Sequence, residues 1–147
     1  MKIGMILDAI YPSDARVTNE CEELIKNGHE IYLFCLSYQK NYIKSETIND
    51  IKVRRYYCSS LIYKLSALAN DFPFYSISMK SKIKDFVLQN SIDKVHIHDI
   101  QIAKAAVAVC RKYNLKYVLD LHENRHEIMK SYKHVNSFFG KIFISVK

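Results

Sequence analysis

Short apolar runs alternate with amphipathic stretches from the start of the chain, which predicts alternating strands and helices. The first apolar run covers residues 2–7 and the second covers residues 31–36. Between them, apolar side chains recur at the spacing of one helical face: Val17, Cys21, Leu24 and Ile25. Ser13 or Asp14 can cap the start of this helix and Gly28 its end. The chain therefore opens with a β-α-β unit, whose two strands we expect to be parallel.

The periodicity of apolar residues is weaker in the middle of the chain. Residues 37–49 are polar and predict a loop, whereas residues 51–57 partly alternate and predict a third strand near a sheet edge. Helical spacing of apolar residues returns over 61–69 and again over 79–87. Pro73 separates these two predicted helices, because proline cannot continue a helix.

Two further strands are predicted over 94–98 and 116–121, and each ends in histidine plus a carboxylate. Asp99 can cap the helix between them, whose inward face is apolar: Ile102, Ala106, Val109, Cys110 and Tyr113. A last helical pattern over 138–146 is still running at the end of the sequence. We therefore expect the chain to be the first half of something larger.

The order of these elements predicts an α/β fold: a Rossmann-like, doubly wound, mainly parallel sheet of about five strands with helices on both faces. With strand order 3-2-1-4-5, the switch point lies between the first and fourth strands. The loop 8–16 and the His98-Asp99 turn then face each other across one crevice, with His122 and Glu123 on its rim. Ligands bind at such switch points in open α/β sheets.

Composition agrees with a single globular domain of 147 residues, 49% hydrophobic and 25% charged. No apolar run is long enough to span a membrane. The apolar run at the N-terminus is too short for a signal peptide, because a charged residue soon interrupts it. The scattered cysteines favour reduced core thiols and a cytoplasmic location: Cys21, Cys35, Cys58 and Cys110. The net charge of +7 indicates either an anionic partner or a solvated basic surface.

Several common signatures are missing. With three glycines in the chain, there is no Gly-x-Gly-x-x-Gly fingerprint and no P-loop, which argues against a standard dinucleotide site and against an NTPase. A phosphoacceptor receiver domain is also disfavoured, because only Asp8 fits its pattern of acidic and basic residues.

Two histidine patterns could indicate metal. Residues 122–126 read His-Glu-Asn-Arg-His, the zinc-protease pattern, but the residues before them predict a strand rather than the required helix. His96 and His98 fall on one side of the fourth strand. There we expect His96 to pack under a helix and His98 to be open to a ligand, with no metal bound.

Arg16 falls in the first turn of the first helix, where backbone N–H groups favour anions. A guanidinium in this position suits binding of a phosphate or carboxylate. The alternative is a surface salt bridge with Asp14 or Glu20.

Four segments together resemble the N-terminal domain of family 4 glycosyltransferases: residues 11–17, 28–30, 96–99 and 120–123. The resemblance covers essentially the whole chain. It implies one half of a GT-B fold, in which residues 1–147 form the N-terminal Rossmann-like, acceptor-side domain. The C-terminal donor-binding domain, with its Glu-x7-Glu motif, is expected to be absent from this chain.

The resemblance also implies roles for individual residues. The catalytic positions are His122 and Glu123. The substrate-binding positions are Asp14, Arg16, His98 and Asp99. Many family members carry Gly-Gly after the first strand, where this chain has Asp14-Ala15, and that departure argues against direct contact of this loop with the donor diphosphate.

The implied function is the acceptor-binding half of a retaining, nucleotide-sugar-dependent glycosyltransferase of capsule, O-antigen or other surface-polysaccharide synthesis. The nucleotide sugar is a co-substrate, no further cofactor is expected, and the acceptor is a glycan or lipid-linked sugar. We expect a cytoplasmic protein, peripheral to the inner membrane face, with no nucleic-acid partner and no activity of the isolated domain. The alternatives are a non-catalytic module for an anionic ligand and a zinc hydrolase using His122, Glu123 and His126.

A basic, aromatic segment over 61–86 fits contact with an anionic bilayer. It interleaves lysines with aromatic residues: Lys64, Lys80, Lys82 and Lys84 with Tyr63, Phe72, Phe74 and Tyr75. The alternative is two ordinary amphipathic helices packed on the sheet.

Overall fold

The computed structural model of the chain describes residues 1–64 and 74–120. Within them, the helices and strands follow in this order: β1 (Lys2–Ile6), α1 (Ala15–Lys26), β2 (Glu30–Ser37), β3 (Ser45–Ile48), β4 (Ile51–Tyr57), α2 (Ser60–Lys64), α3 (Phe74–Asn90), β5 (Lys94–His98), α4 (Ile100–Lys112) and β6 (Lys116–Asp120). The helix predicted over 138–146 and the second half of the helix predicted over 61–69 lie outside the described residues.

The six strands form one sheet in the order β3-β4-β2-β1-β5-β6. The pairs β1–β2, β1–β5, β2–β4 and β5–β6 are parallel, and only β3–β4 is antiparallel among them. β1 therefore lies between β2 and β5, and the strand order reverses direction there. This confirms the predicted α/β, doubly wound and mainly parallel sheet, with its switch point where the sequence placed it.

One part of the prediction is wrong: residues 37–49 are not all loop, and the sheet has six strands rather than five. Ser45–Ile48 forms β3, which pairs with β4 so that Ile48 lies opposite Ile51. The link is Asn49-Asp50, and both residues have positive φ angles, 47° and 62°. Two successive positive φ angles characterise the tight hairpin turns that Asn and Asp tolerate, so a short antiparallel edge strand can form here.

The sheet separates two apolar cores. On one face, α1 packs Val17 and Cys21 against side chains from β1 and the residue after it, from β2 and from β4: Ile3, Met5, Leu7, Ile31, Leu33, Cys35, Ile51 and Val53. On the other face, α3 and α4 pack over Phe34, Val95 and Ile97. Alternation along each strand assigns its side chains to these faces. Helices therefore cover both faces, as predicted.

The predicted core thiols are confirmed. All four cysteines are buried and free of disulfides. Burial raises the pKa of Cys21 to about 12 and that of Cys110 to about 11. Because the thiolate is the reactive form, these side chains act as small apolar groups in the core.

α3 packs Met79, Ile83 and Phe86 into the core, as the alternative to bilayer contact requires, but it also exposes the apolar side chains of Ile77 and Leu88. Tyr75 is wholly buried, so its predicted place among membrane-facing aromatic residues is wrong. Phe74 is 63% exposed and Lys80 is also exposed, and for them membrane contact stays a prediction. In the described part of the chain, none of the helices has the length and apolar character needed to cross a bilayer.

Gly4 generates a stability prediction, because its position in β1 faces α3. A Cβ added there would lie 3.0 Å from Ile92 Cγ2 and 3.0 Å from Phe86 Cε1. Gly4→Val should therefore lower the free energy of unfolding by about 1–3 kcal/mol, the usual cost of overpacking a core. Urea denaturation measures the change. The matched control is Thr47→Val on exposed β3, expected to stay within about 0.5 kcal/mol of wild type; equal stability of both variants would contradict this packing.

Candidate functional site

The carboxyl ends of β1 and β5 meet at the switch point. The backbone N–H of Asp8, just after β1, donates to Asp99 Oδ2, just after β5, over 3.2 Å. The loop that begins at Asp8 and the His98-Asp99 turn are thus directly joined. This is the juxtaposition that the predicted strand order required.

Asp99 holds the N-cap position of α4, as predicted, but its side chain makes no capping hydrogen bond. Its φ angle is 77°, an unusual value for a residue other than glycine. In this conformation the carboxylate accepts from Asp8 instead of from the first turn of the helix. Such backbone outliers cost of order 1–3 kcal/mol. The substrate-binding role of Asp99 stays a prediction.

Asp8 is held from a second side by α3. Its side chain is 7% exposed, and its carboxylate accepts a hydrogen bond from the hydroxyl of Tyr75. Burial, reinforced by the negative charge of Asp8, raises the pKa of Tyr75, so the phenol stays protonated and remains a donor. No local pattern predicts this pair, since the two residues are 67 positions apart.

Asp14 organises the start of α1, as predicted. Its side chain accepts from the backbone N–H groups of Arg16 (3.0 Å) and Val17 (3.4 Å). It also accepts from the guanidinium of Arg16, at 2.9 Å from Nη2. One carboxylate thus caps the helix and positions the cation.

The salt bridge of Arg16 with Asp14 was the alternative to an anion-binding role, and the structure contains it. The Arg16 side chain is nevertheless 55% exposed. The pKa of Arg16 is raised chiefly by its hydrogen bond to Asp14, and the charges of Asp99 and Asp120 add to the effect. The guanidinium therefore lies toward the ends of β5 and β6 and stays accessible to a ligand.

A second group of side chains lies beside this edge, on the α1 face of the sheet. Glu20 Oε2 is 3.5 Å from His96 Nδ1 and 3.7 Å from His98 Nε2. Asp120 joins them, so that these four residues each place one potential ligand atom within 4.8 Å of the others. The group can therefore hold a metal ion. Glu20 and Asp120 were not among the sequence candidates for metal binding.

The expected division between the two histidines of β5 is not what the structure shows. His98, predicted to be open to a ligand, is 1% exposed, while the His96 side chain is 21% exposed. Both rings lie against α1, with centroids 4.2 Å apart. Packing of α1 over the end of β5 buries His98, which strand alternation alone does not reveal.

The other predicted positions, His122, Glu123 and His126, lie outside the described residues. β6 is described as far as Asp120, which is in register with His98. The structure thus pairs Asp14 with Arg16 and places Asp99 where its charge acts on Arg16, while His98 is buried at the end of β5.

Comparison with known proteins identifies the fold. No family model and no curated protein matches the chain. Among solved structures, sucrose-phosphate synthase from Thermosynechococcus elongatus, a GT-B glycosyltransferase, is similar over 98% of this chain, with a TM-score of 0.67 and 12% identity. The match covers 39% of that protein, so the chain spans about two fifths of its length.

A second similar structure is the C-terminal domain of a hydrogenase from Pyrococcus furiosus. It matches 82% of this chain and 90% of that domain, with a TM-score of 0.55 and 16% identity. At such identities the likeness concerns the fold, which unrelated proteins share. The chain thus has a Rossmann-like α/β fold, consistent with one half of a GT-B structure.

The Tyr75–Asp8 hydrogen bond predicts a measurable loss of stability. Tyr75→Phe removes the donor and leaves the buried Asp8 carboxylate without it, which should cost about 1–3 kcal/mol. Chemical denaturation against wild type measures the loss. Tyr113→Phe removes a hydroxyl from a half-buried tyrosine at the end of α4 and should change stability by less than about 0.5 kcal/mol. Equal losses in the two variants would mean that the Asp8 contact contributes nothing.

Asp14 predicts a pH-dependent contribution. Hydrogen bonds from Arg16 lower the pKa of Asp14 in the folded state. The stabilisation that ionised Asp14 gives the folded state is therefore present above the unfolded pKa of about 3.9 and is lost as pH falls through the lower folded pKa.

Asp14→Asn keeps a capping oxygen, so the stability difference from wild type should be below about 1 kcal/mol at pH 7 and shrink below pH 4. Asp14→Ala should lose about 1 kcal/mol more through the cap. Unfolding measured from pH 3 to pH 7 tests this, and a difference between wild type and Asp14→Asn that is independent of pH would refute it.

Proposed function

We propose that this chain is the acceptor-binding half of a retaining, nucleotide-sugar-dependent glycosyltransferase. The observation that carries the proposal is the joined edge at the switch point, where Asp14 and Arg16 of α1 lie toward Asp99 of the β5–α4 turn. The fold likeness to part of sucrose-phosphate synthase supports it. Because one fold serves many functions, the arrangement at this edge is the stronger argument.

The charges at this edge favour a sugar acceptor over a donor diphosphate. Three carboxylates stabilise the charge of Arg16, those of Asp14, Asp99 and Asp120. Carboxylates accept hydrogen bonds from sugar hydroxyls, and three of them beside one guanidinium repel a multiply charged diphosphate more strongly than a singly charged group. Arg16 can bind an acidic or phosphorylated group on the acceptor with its accessible N–H groups. The Asp14-Ala15 sequence supports the same assignment.

The chemical step is proposed to use His122, with Glu123 behind it. In a retaining transfer the acceptor oxygen bonds to the anomeric carbon as the bond from that carbon to the diphosphate oxygen breaks, and the proton of the acceptor hydroxyl leaves with the nucleoside diphosphate. An imidazole near neutral pH can donate a hydrogen bond or handle a proton in that step. A second Rossmann-like domain is proposed to hold most of the donor, so residues 1–147 alone are expected to be inactive.

The acceptor is proposed to be lipid-linked, on the cytoplasmic face of a membrane, in surface-polysaccharide synthesis. The net charge of +7 supports attraction to an anionic bilayer. Phe74 and Lys80, both exposed on α3, offer an apolar and a cationic contact for such a surface.

The test is made on the complete product of the gene that encodes this chain. Nucleotide sugars are screened for hydrolysis and for transfer to a membrane lipid extract. Arg16→Ala should lower kcat/KM for the acceptor about 10- to 100-fold, since hydrogen bonds to charged groups contribute about 1.5–3 kcal/mol. His122→Ala should abolish transfer.

Lys26→Ala is the matched control, because it removes a cation from the opposite end of α1, where Lys26 pairs with exposed Glu23. It should leave transfer unchanged. Transfer that survives in both Arg16→Ala and His122→Ala would remove these residues from the site, and no transfer from any donor would count against the proposed activity.

A further inference from the structure

Four metal-ligating side chains converge beneath the carboxyl edge of the sheet: Glu20, His96, His98 and Asp120. We propose that they bind one zinc ion in a closed, structural site that joins α1 to β5 and β6. The ion would take no part in the proposed transfer chemistry, although Asp120 also lies near Arg16. The site does not use the His122-Glu123-x-x-His126 pattern.

The fold brings the four residues together without any local sequence motif. Alternation along β5 places His96 and His98 on the face covered by α1, and the parallel register places Asp120 of β6 beside His98. Glu20 enters from α1, one position before the buried Cys21. The ligands thus come from three elements, and an ion at their centre would hold all three.

Glu20 lies from the two imidazoles at about the spacing of neighbouring ligands on one zinc ion. Zinc bonds to nitrogen and oxygen of about 2.0–2.2 Å in a tetrahedron put neighbouring ligand atoms roughly 3.3–3.6 Å apart. Glu20 Oε2 lies 3.5 Å from His96 Nδ1 and 3.7 Å from His98 Nε2. In the described part of the chain, this buried carboxylate oxygen accepts no hydrogen bond. An oxygen placed so close to two imidazole nitrogens, yet bonded to neither, is suited to share a cation with them.

The donor set selects the kind of ion. Two imidazoles and two carboxylates suit zinc, whereas magnesium and calcium prefer oxygen ligands alone. Two carboxylates also match the charge of a divalent ion. Four protein ligands leave no open position on a tetrahedral ion, which is the arrangement of structural rather than catalytic zinc sites. The burial of His98 agrees with a closed site.

The experiment uses the untagged chain, stripped with a chelator and titrated with zinc chloride. We expect one zinc per chain by elemental analysis and a higher melting temperature with zinc. Cobalt(II) substitution should give the visible bands of a tetrahedral site without the charge-transfer band of a cobalt–thiolate bond. Glu20→Gln and His96→Gln should each weaken zinc binding at least about tenfold, since loss of even an outer-shell partner has an effect of that size.

Glu23→Gln is the matched control, because it changes an exposed carboxylate one turn further along the same helix. It should bind zinc as wild type does, and circular dichroism should show every variant folded. His126→Ala tests the competing motif and should retain zinc. Absence of stoichiometric zinc, zinc binding unaffected by both Glu20→Gln and His96→Gln, or loss of zinc in His126→Ala with retention in Glu20→Gln would each overturn the proposal.

Discussion

The structure depends on the hydrogen bonds that the buried Asp8 makes where β1 ends. A buried carboxylate is costly unless it accepts hydrogen bonds, and the hydroxyl of Tyr75 provides one from α3. The backbone N–H of Asp8 donates to Asp99, which ties the same point to the start of α4. Elements from both halves of the sheet therefore meet at one residue. This junction therefore holds the end of β1 against the end of β5 and against α3, beside the candidate site.

Most of the fold was predictable because its signals are local. Buried parallel strands read as apolar runs, and helices such as α4 show one apolar face, so their order in the chain defines a doubly wound sheet. β3 was missed because its signal is weak: Ser45–Ile48 is short, lies at an edge and buries little. The Asn49-Asp50 turn was the available sign, since both residue types tolerate positive φ angles.

In the candidate site, too, local features were predictable from the sequence and contacts between distant residues were not. The cap that Asp14 makes on α1 spans two or three residues, and the sequence predicted it. The pair of Tyr75 with Asp8 and the approach of Glu20 to His96 join residues far apart in sequence, so no spacing rule could find them. The burial of His98 likewise results from how α1 crosses the sheet. Only the folded structure shows which polar side chains lie close together.

The two proposals constrain each other through charge. At the carboxyl edge, Arg16 faces the charges of Asp14, Asp99 and Asp120. A zinc ion ligated by Asp120 and Glu20 would neutralise two carboxylates near Arg16 and so weaken their electrostatic attraction to its guanidinium. Arg16 would then be a stronger partner for an anionic group on the acceptor, although the ion itself contacts no substrate. Metal occupancy should therefore affect an acidic acceptor more than a neutral one, and that difference follows from electrostatics rather than from a change in fold.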